Sequence, residues 1–214
     1  MTGGSMLFDV AHLAPGIAYK LITSTITPRP IGWVTSLSRD GVVNAAPFSF
    51  FNAMGGAPPV VALGFMRPPD RPLKDTAQNI LDTGEFVVNL VSEELAGVMS
   101  QTSANLPHAQ SEVAFAGLEI AASTHVAPPR LAASPVSFEC KTHTVVETGP
   151  GQRVVIGQIH AAHIADRFVL DAGNGHIDTP ALGLIARMHG AGWYARGTDL
   201  FQLARPGPMP EQMR

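Results

Sequence analysis

The chain has 214 residues, with 14 Lys and Arg against 17 Asp and Glu, a formal net charge of −3; this is the length of one domain and carries no basic field for nucleic acid. A 45% hydrophobic content excludes a disordered chain, whereas only 14% charged residues is low for a monomer's surface and points to a homo-oligomer. The single cysteine, Cys140, excludes an internal disulfide and a thiolate zinc cage.

Met1–Ala14 has neither a basic segment nor an apolar run of signal length, so a cytoplasmic protein is expected. The stretch Gly41–Met66 has no charged residue and is long enough to cross a bilayer. Pro47, Pro58 and Pro59 would break such a helix, so it reads as buried strands and no membrane is expected. Strand-like runs are Ile31–Ser38, Val42–Phe51, Pro59–Phe65, Glu85–Val91, Pro135–Glu147, Arg153–Asp166 and Phe168–Leu170, with weaker ones at Gly192–Tyr194 and Leu200–Leu203. Asp40-Gly41 reads as a hairpin turn. Two helices stand out. Thr76–Thr83 has Asp75 as its cap and Gly84 as its stop, and a second follows Ser92 to about Gln101. Gln101–Val126 is expected to run over the surface, and Pro206–Arg214 to form a mobile end or an arm onto a partner. The 21 glycines and 18 prolines are scattered along the chain, which favours an antiparallel barrel in a single domain with its core at about 8–203.

Dinucleotide, P-loop, nucleophile-elbow and zincin motifs are all absent from the sequence. His160 and His163 stand three apart, which in a strand sends them to opposite faces, so no metal is expected. Cys140 lies on the apolar face of its strand and reads as a buried small hydrophobe. Four segments carry more. Thr27-Pro28-Arg29-Pro30 is an extended entry into a strand bearing Trp33, Thr35 and Ser36. Asn44–Asn52 sets polar residues among three phenylalanines and two alanines, as a strand gripping a planar ring would. Lys74-Asp75-Thr76 opens a helix with an ammonium and a hydroxyl, a plausible phosphate site. Arg187–Tyr194 joins a cation, His189, glycines and two aromatics in a loop able to close over a ligand. Read singly, each segment serves equally well as an ordinary strand, helix start or turn.

In this order, the segments resemble the flavin reductase-like family of FMN-binding split barrels, which includes flavoredoxin-type proteins. The tract Phe8–Tyr19, Gly84–Asn89 and Ser134–Cys140 complete the likeness, over roughly Phe8 to Leu203. The resemblance implies an all-β dominated, six-stranded Greek-key split barrel with short flanking helices, binding FMN near a homodimer interface. It implies that Trp33, Ile31 and Gly32 line the isoalloxazine, with Pro47, Ser49, Phe50, Phe51 and Asn52 on its other face and polar edge. Thr35, Ser36, Lys74 and Thr76 would meet the ribityl chain and phosphate. Arg187 and His189 would approach from the C-terminal tract, His189 on the nicotinamide side. Two departures stand out: Met188-His189 intervene before Gly190-Ala191-Gly192, and Arg67–Pro72 lacks the serines often found ahead of the lysine. The implied activity is NAD(P)H:flavin reduction, with NADH or NADPH as transient donor and free flavin, oxygen, a monooxygenase or another electron-acceptor protein as recipient. The alternatives are an FMN-binding electron carrier or oxygenase-type flavoprotein without its own reductase activity, and a flavin-free interaction module.

Overall fold

The computed structural model describes residues 3–14, 16–68, 70–107, 110–205 and 207, so nearly all of the expected arm Pro206–Arg214 lies outside the described residues. Helix α1 (Ile17–Thr25) leads into β1 (Arg29–Pro30) and then β2 (Gly32–Leu37), β3 (Val43–Phe48), β4 (Phe51–Gly56) and β5 (Pro59–Phe65). Helix α2 (Asp75–Thr83) and β6 (Glu85–Leu90) follow, then α3 (Ala96–Gln101), α4 (Glu112–Phe115), β7 (Val136–Gly149) and β8 (Gln152–Ile164). A terminal hairpin is built from β9 (Ile185–Arg187) and β10 (Tyr194–Arg196). Short two-stranded ribbons at 120–131 and 169–177 complete the strands.

Seven strands form one antiparallel sheet in the order β3-β2-β6-β7-β8-β5-β4. The expected run Val42–Phe51 is broken at Ser49-Phe50, which turns six strands into seven. This break closes the fold. A flat sheet of seven strands spaced about 4.8 Å apart would hold its edges roughly 29 Å from each other. Here the edges β3 and β4 are consecutive in sequence, separated only by Ser49 and Phe50, and three peptide links reach about 10 Å. The sheet must therefore curl on itself. Gly64 seals the corner by donating its N–H to the Phe50 carbonyl at 2.7 Å.

Inside the curl, Val34, Phe48, Leu63, Phe65, Phe86, Val88, Cys140 and Val155 pack with Ala77 and Ile80, so α2 plugs one end of the barrel. Close packing here depends on Gly157, where a Cβ would lie 2.3 Å from the Phe86 ring. Cys140 is fully buried, and burial drives its thiol pKa far upward, so it is packing and not a nucleophile. Outside the curl, Ile31, Trp33, Ala45 and Val91 pack against Met99, Val113, Leu131 and Ile185. With both faces covered, β2 shows almost no alternation of burial.

Several local expectations change. Lys74, not Asp75, holds the N-cap position of α2; Asp75 is its first residue and accepts a hydrogen bond from Arg71 at 2.8 Å. Ser92 precedes a single 3₁₀ turn and makes no side-chain cap. The supposed surface excursion carries α4, whose Glu112 is buried against β3. Helix α1 has no acidic first turn and no basic last turn and leaves Ile17, Tyr19 and Ile22 exposed, which is why no end signal marked it. The last strand sits at Tyr194–Arg196, later than expected, and Leu200–Leu203 is not a strand. Among the described residues no helix is long and apolar enough to cross a membrane, and no cluster of three metal-ligating side chains occurs. His163 instead pairs with the buried Glu139.

Candidate functional site

The corner at Ser49 opens a cleft with two parts. The larger is a chamber of about 640 Å³ lined by Ile31, Pro47, Phe48, Ser49, Met99 and Ser100 and, from α1 and the terminal hairpin, by Tyr19, Lys20, Arg187 and Tyr194. Pro47 and Ser103 are shared with a small polar pocket of about 80 Å³, whose walls include Asn44, Arg71, Lys74, Thr76, Thr102 and Glu112. A large chamber of mixed lining thus runs into a small polar pocket across two residues.

The polar pocket sits where α2 begins. Lys74, the N-cap residue of α2, makes no side-chain cap hydrogen bond, and it lines the pocket together with Asp75 and Thr76 of the first turn. Its ammonium stands 5.4 Å from the centre of the Phe48 ring. Loss of surrounding water, and secondarily the positive Arg71, hold the Lys74 pKa below its ordinary value. Arg71 donates to Asp75, but its Nε is buried without a hydrogen-bond partner. On the opposite wall, Asn44 donates to Glu112 at 2.7 Å and accepts from Thr76 at 2.7 Å and from Ser36 at 3.3 Å. Burial raises the Glu112 pKa, against the hydrogen bonds from Ala45 and Asn44 that lower it. The pocket therefore sets the Lys74 ammonium and an unpartnered Arg71 Nε at a helix start, beside the carboxylates of Asp75, which pairs with Arg71, and Glu112, which is held by Asn44.

The expected site residues divide into three groups. Ile31, Pro47, Ser49 and Arg187 line the chamber, and Lys74 and Thr76 the polar pocket. Phe50 lies in a side recess of about 150 Å³ with Ser49, Gly64 and Lys74. Phe51 and Asn52 belong instead to two apolar clefts of about 460 and 410 Å³ on the far side of the Pro28–Pro30 segment, because the chain has already crossed to the other sheet edge.

The third group is buried away from the cleft. Trp33 is 1% exposed, packs in the outer core and donates its indole N–H to Thr102 at 2.9 Å. Gly32 faces Phe51, whose ring a Cβ would meet at 3.1 Å. The Thr35 hydroxyl donates to the Pro129 carbonyl, and Ser36 is held between Asn44 and Asn79. These hydroxyls are bonded within the protein, and neither they nor Trp33 and Gly32 line the chamber or the polar pocket. Thr76 is also buried, and its hydroxyl proton is spent on Asn44. His189 stacks on Trp193 at 5.9 Å and 14°, while its neighbours Gly190 and Ala191 line the chamber.

Sequence reasoning did not single out Tyr19, Arg29, Arg71, Ser100, Ser103 or Glu112. The run Ser100-Gln101-Thr102-Ser103 offered a signal, since three hydroxyls in four residues across the end of α3 are an unusual concentration of polar groups. For Glu112, nothing in the local pattern announced burial.

A family model described as a flavin reductase like domain matches residues 24–178. A protein of Deinococcus radiodurans, described as uncharacterized, is 39% identical over 202 residues, covering 92% of this chain and 88% of its own. Nitrilotriacetate monooxygenase component B from Bacillus cereus superposes with a TM-score of 0.88 at 29% identity, covering 94% of this chain and all of its own (100%). The 2-nitrobenzoate 2-nitroreductase of Pseudomonas fluorescens gives 0.86 at 31% identity, covering 96% and 98%. The flavoredoxin of Desulfovibrio vulgaris shares the fold, with a TM-score of 0.72 at 19% identity over 83% of this chain and 91% of its own. A match over most of the chain, on a curled sheet with this two-part cleft, places the protein in the flavin reductase-like family of split-barrel flavin oxidoreductases.

Proposed function

We propose that the protein is an FMN-dependent NAD(P)H:flavin oxidoreductase. The observation that carries this reading is the continuity of a ring-sized chamber, walled by apolar side chains on one side and cations and hydroxyls on another, with a phosphate-sized pocket at Lys74, across Pro47 and Ser103. The residues present fit FMN: the orphaned Arg71 Nε and the ammonium of Lys74, which has no carboxylate in ion-pair range among the described residues, both call for an anion.

When bound, the flavin supplies the two-electron chemistry, accepting hydride from a nicotinamide and passing electrons on. The chain's part is to hold and to polarise. Lys74, Arg71 and the first amides of α2 would anchor the phosphate. Ile31, Pro47 and Phe48 would wall one side of the ring, and the hydroxyls of Ser49 and Ser100 would supply donors to its polar rim. No side chain is assigned as a general base, because hydride transfer asks none of the protein. The chamber's outer side, toward Tyr19 and the terminal hairpin, is left for a shallowly bound nicotinamide, in keeping with a sequence that has no dinucleotide fingerprint.

The proposal includes a homodimer: the two apolar clefts around Pro28, Pro30 and Phe51, with exposed Ile22, Ile26 and Met54 beside them, fit burial against a second copy. It also includes the cytoplasm as location and a monooxygenase or other electron-acceptor protein among the recipients of electrons, the latter supported by the likeness to a monooxygenase component. Anaerobic mixing of FMN-loaded protein with NADH and with NADPH tests the reading. Rapid bleaching of the flavin by either one is expected. Bleaching by neither would leave an FMN-binding carrier and reject the reductase.

A further inference from the structure

Arg29 and Arg187 occupy directly facing positions where β1 pairs with β9. Like charges opposite each other on neighbouring strands repel, yet both side chains line the same chamber, joined there by Lys20. Arg29 is only 6% exposed. Its guanidinium donates to the carbonyls of Thr23, Ile26 and Met188, and its Nε has no partner. Arg187 donates to the Tyr194 hydroxyl at 2.9 Å and the Gly190 carbonyl at 3.0 Å. All these acceptors are neutral. Among the described residues none of the three cations has a carboxylate in ion-pair range, and none of the described lining residues is Asp or Glu. Guanidinium groups keep their charge at any working pH. A cluster of cations in a partly desolvated cleft is unfavourable until an anion enters.

Arg187 is the one presented to an incoming ligand. It is half-buried where Arg29 is buried, and its fork is held 5.0 Å from the centre of the Tyr194 ring. Its two hydrogen bonds leave three of its five N–H groups to spend. Tyr19 and Tyr194 add aromatic surface to the same side of the chamber.

We propose that the chamber admits, beside the flavin, a second ligand consisting of a planar aromatic ring with a carboxylate or phosphate, and that Arg187 grips its anionic group. This rests on the reading of the chamber as the flavin ring site. The anion belongs either to an aromatic acid that receives electrons or to the nucleotide phosphate of the donor, and the test separates them.

FMN-loaded protein is titrated with benzoate and with benzamide, its uncharged counterpart, and with nicotinamide mononucleotide and nicotinamide riboside, following the perturbation of the flavin's visible spectrum. The charged member of at least one pair should bind roughly 10–100-fold more tightly, the range of a charge-assisted hydrogen bond. Arg187→Gln should abolish that preference and Arg187→Lys restore part of it. Discrimination within the benzoate pair alone assigns an aromatic acid, and within the nucleotide pair alone the donor's phosphate. No discrimination in either pair, or a preference untouched by Arg187→Gln, overturns the proposal. If the protein retains no FMN, the flavin reading is what fails, and calorimetric titration of the protein alone with the same four probes still decides whether Arg187 recognises the anion.

Discussion

Trp33 donates its indole N–H to the Thr102 hydroxyl at 2.9 Å, and Thr102 passes its own proton to the Met99 carbonyl at 2.7 Å. The tryptophan thereby ties the middle of the sheet to the end of α3, whose Ser100 and Ser103 line the chamber. The indole itself is buried and does not line the chamber. Trp33→Phe should lower stability in urea by about 1–3 kcal/mol, since it leaves the Thr102 hydroxyl without its donor and a gap beside it. Thr102→Val should destabilise by a similar amount by stranding the indole N–H. The double variant should lose less than the two summed, because one bond is shared.

Lys74 makes a sharper prediction for binding. Lys74→Ala should weaken FMN by about 1.5–3 kcal/mol, the worth of a hydrogen bond between an ammonium and a phosphate oxygen, and leave riboflavin nearly unchanged. Equilibrium dialysis with the two ligands separates the phosphate from the ring. Equal weakening of both would remove Lys74 from the phosphate pocket.

Glu139 ties the loop at 123–129 to the barrel. It is fully buried and accepts from the backbone N–H groups of Thr124 and His125 and from His163. Burial pushes its pKa up, but these hydrogen bonds outweigh it and leave the pKa below the ordinary value of 4.5. A carboxyl whose folded pKa is depressed stabilises the fold above its unfolded pKa and loses that contribution as pH falls toward the folded one. Unfolding free energy measured in urea should therefore decline below about pH 4.3, where an unfolded glutamate begins to protonate. Glu139→Gln should be less stable than the parent at pH 7 and show a shallower acid decline.

Gly157→Ala tests the curl of the sheet. The added Cβ would lie 2.3 Å from Cζ of Phe86, a fully buried ring in the barrel core. Overpacking at such a site costs about 1–3 kcal/mol or more. A thermal scan should show a clear drop in Tm, and Phe86→Leu in the same chain should recover part of it.

The strands were legible because Val, Ile, Phe and Thr cluster between turn residues, and α2 because Gly84 marks its end. The break at Ser49-Phe50 was not, since the one breaker in Val42–Phe51, Pro47, lies inside β3 and the chain turns two residues later; closure of a seven-stranded sheet imposes the break. Lys74 could be placed from chain position alone, at a helix start beside a polar pocket. Trp33, Thr35 and Ser36 have residue types that suit a ligand wall, but their burial follows from a strand covered on both faces, which local sequence does not announce. Which face is covered is decided by residues 96–131, and burial of Glu112 there depends on Asn44, some 68 residues away in sequence.

The most direct measurement is a crystal structure of the protein grown with FMN. The ring should lie in the chamber between Pro47 and the end of α3, with the phosphate against Lys74 and the first turn of α2. A flavin bound elsewhere, or its phosphate turned away from Lys74, would contradict the account.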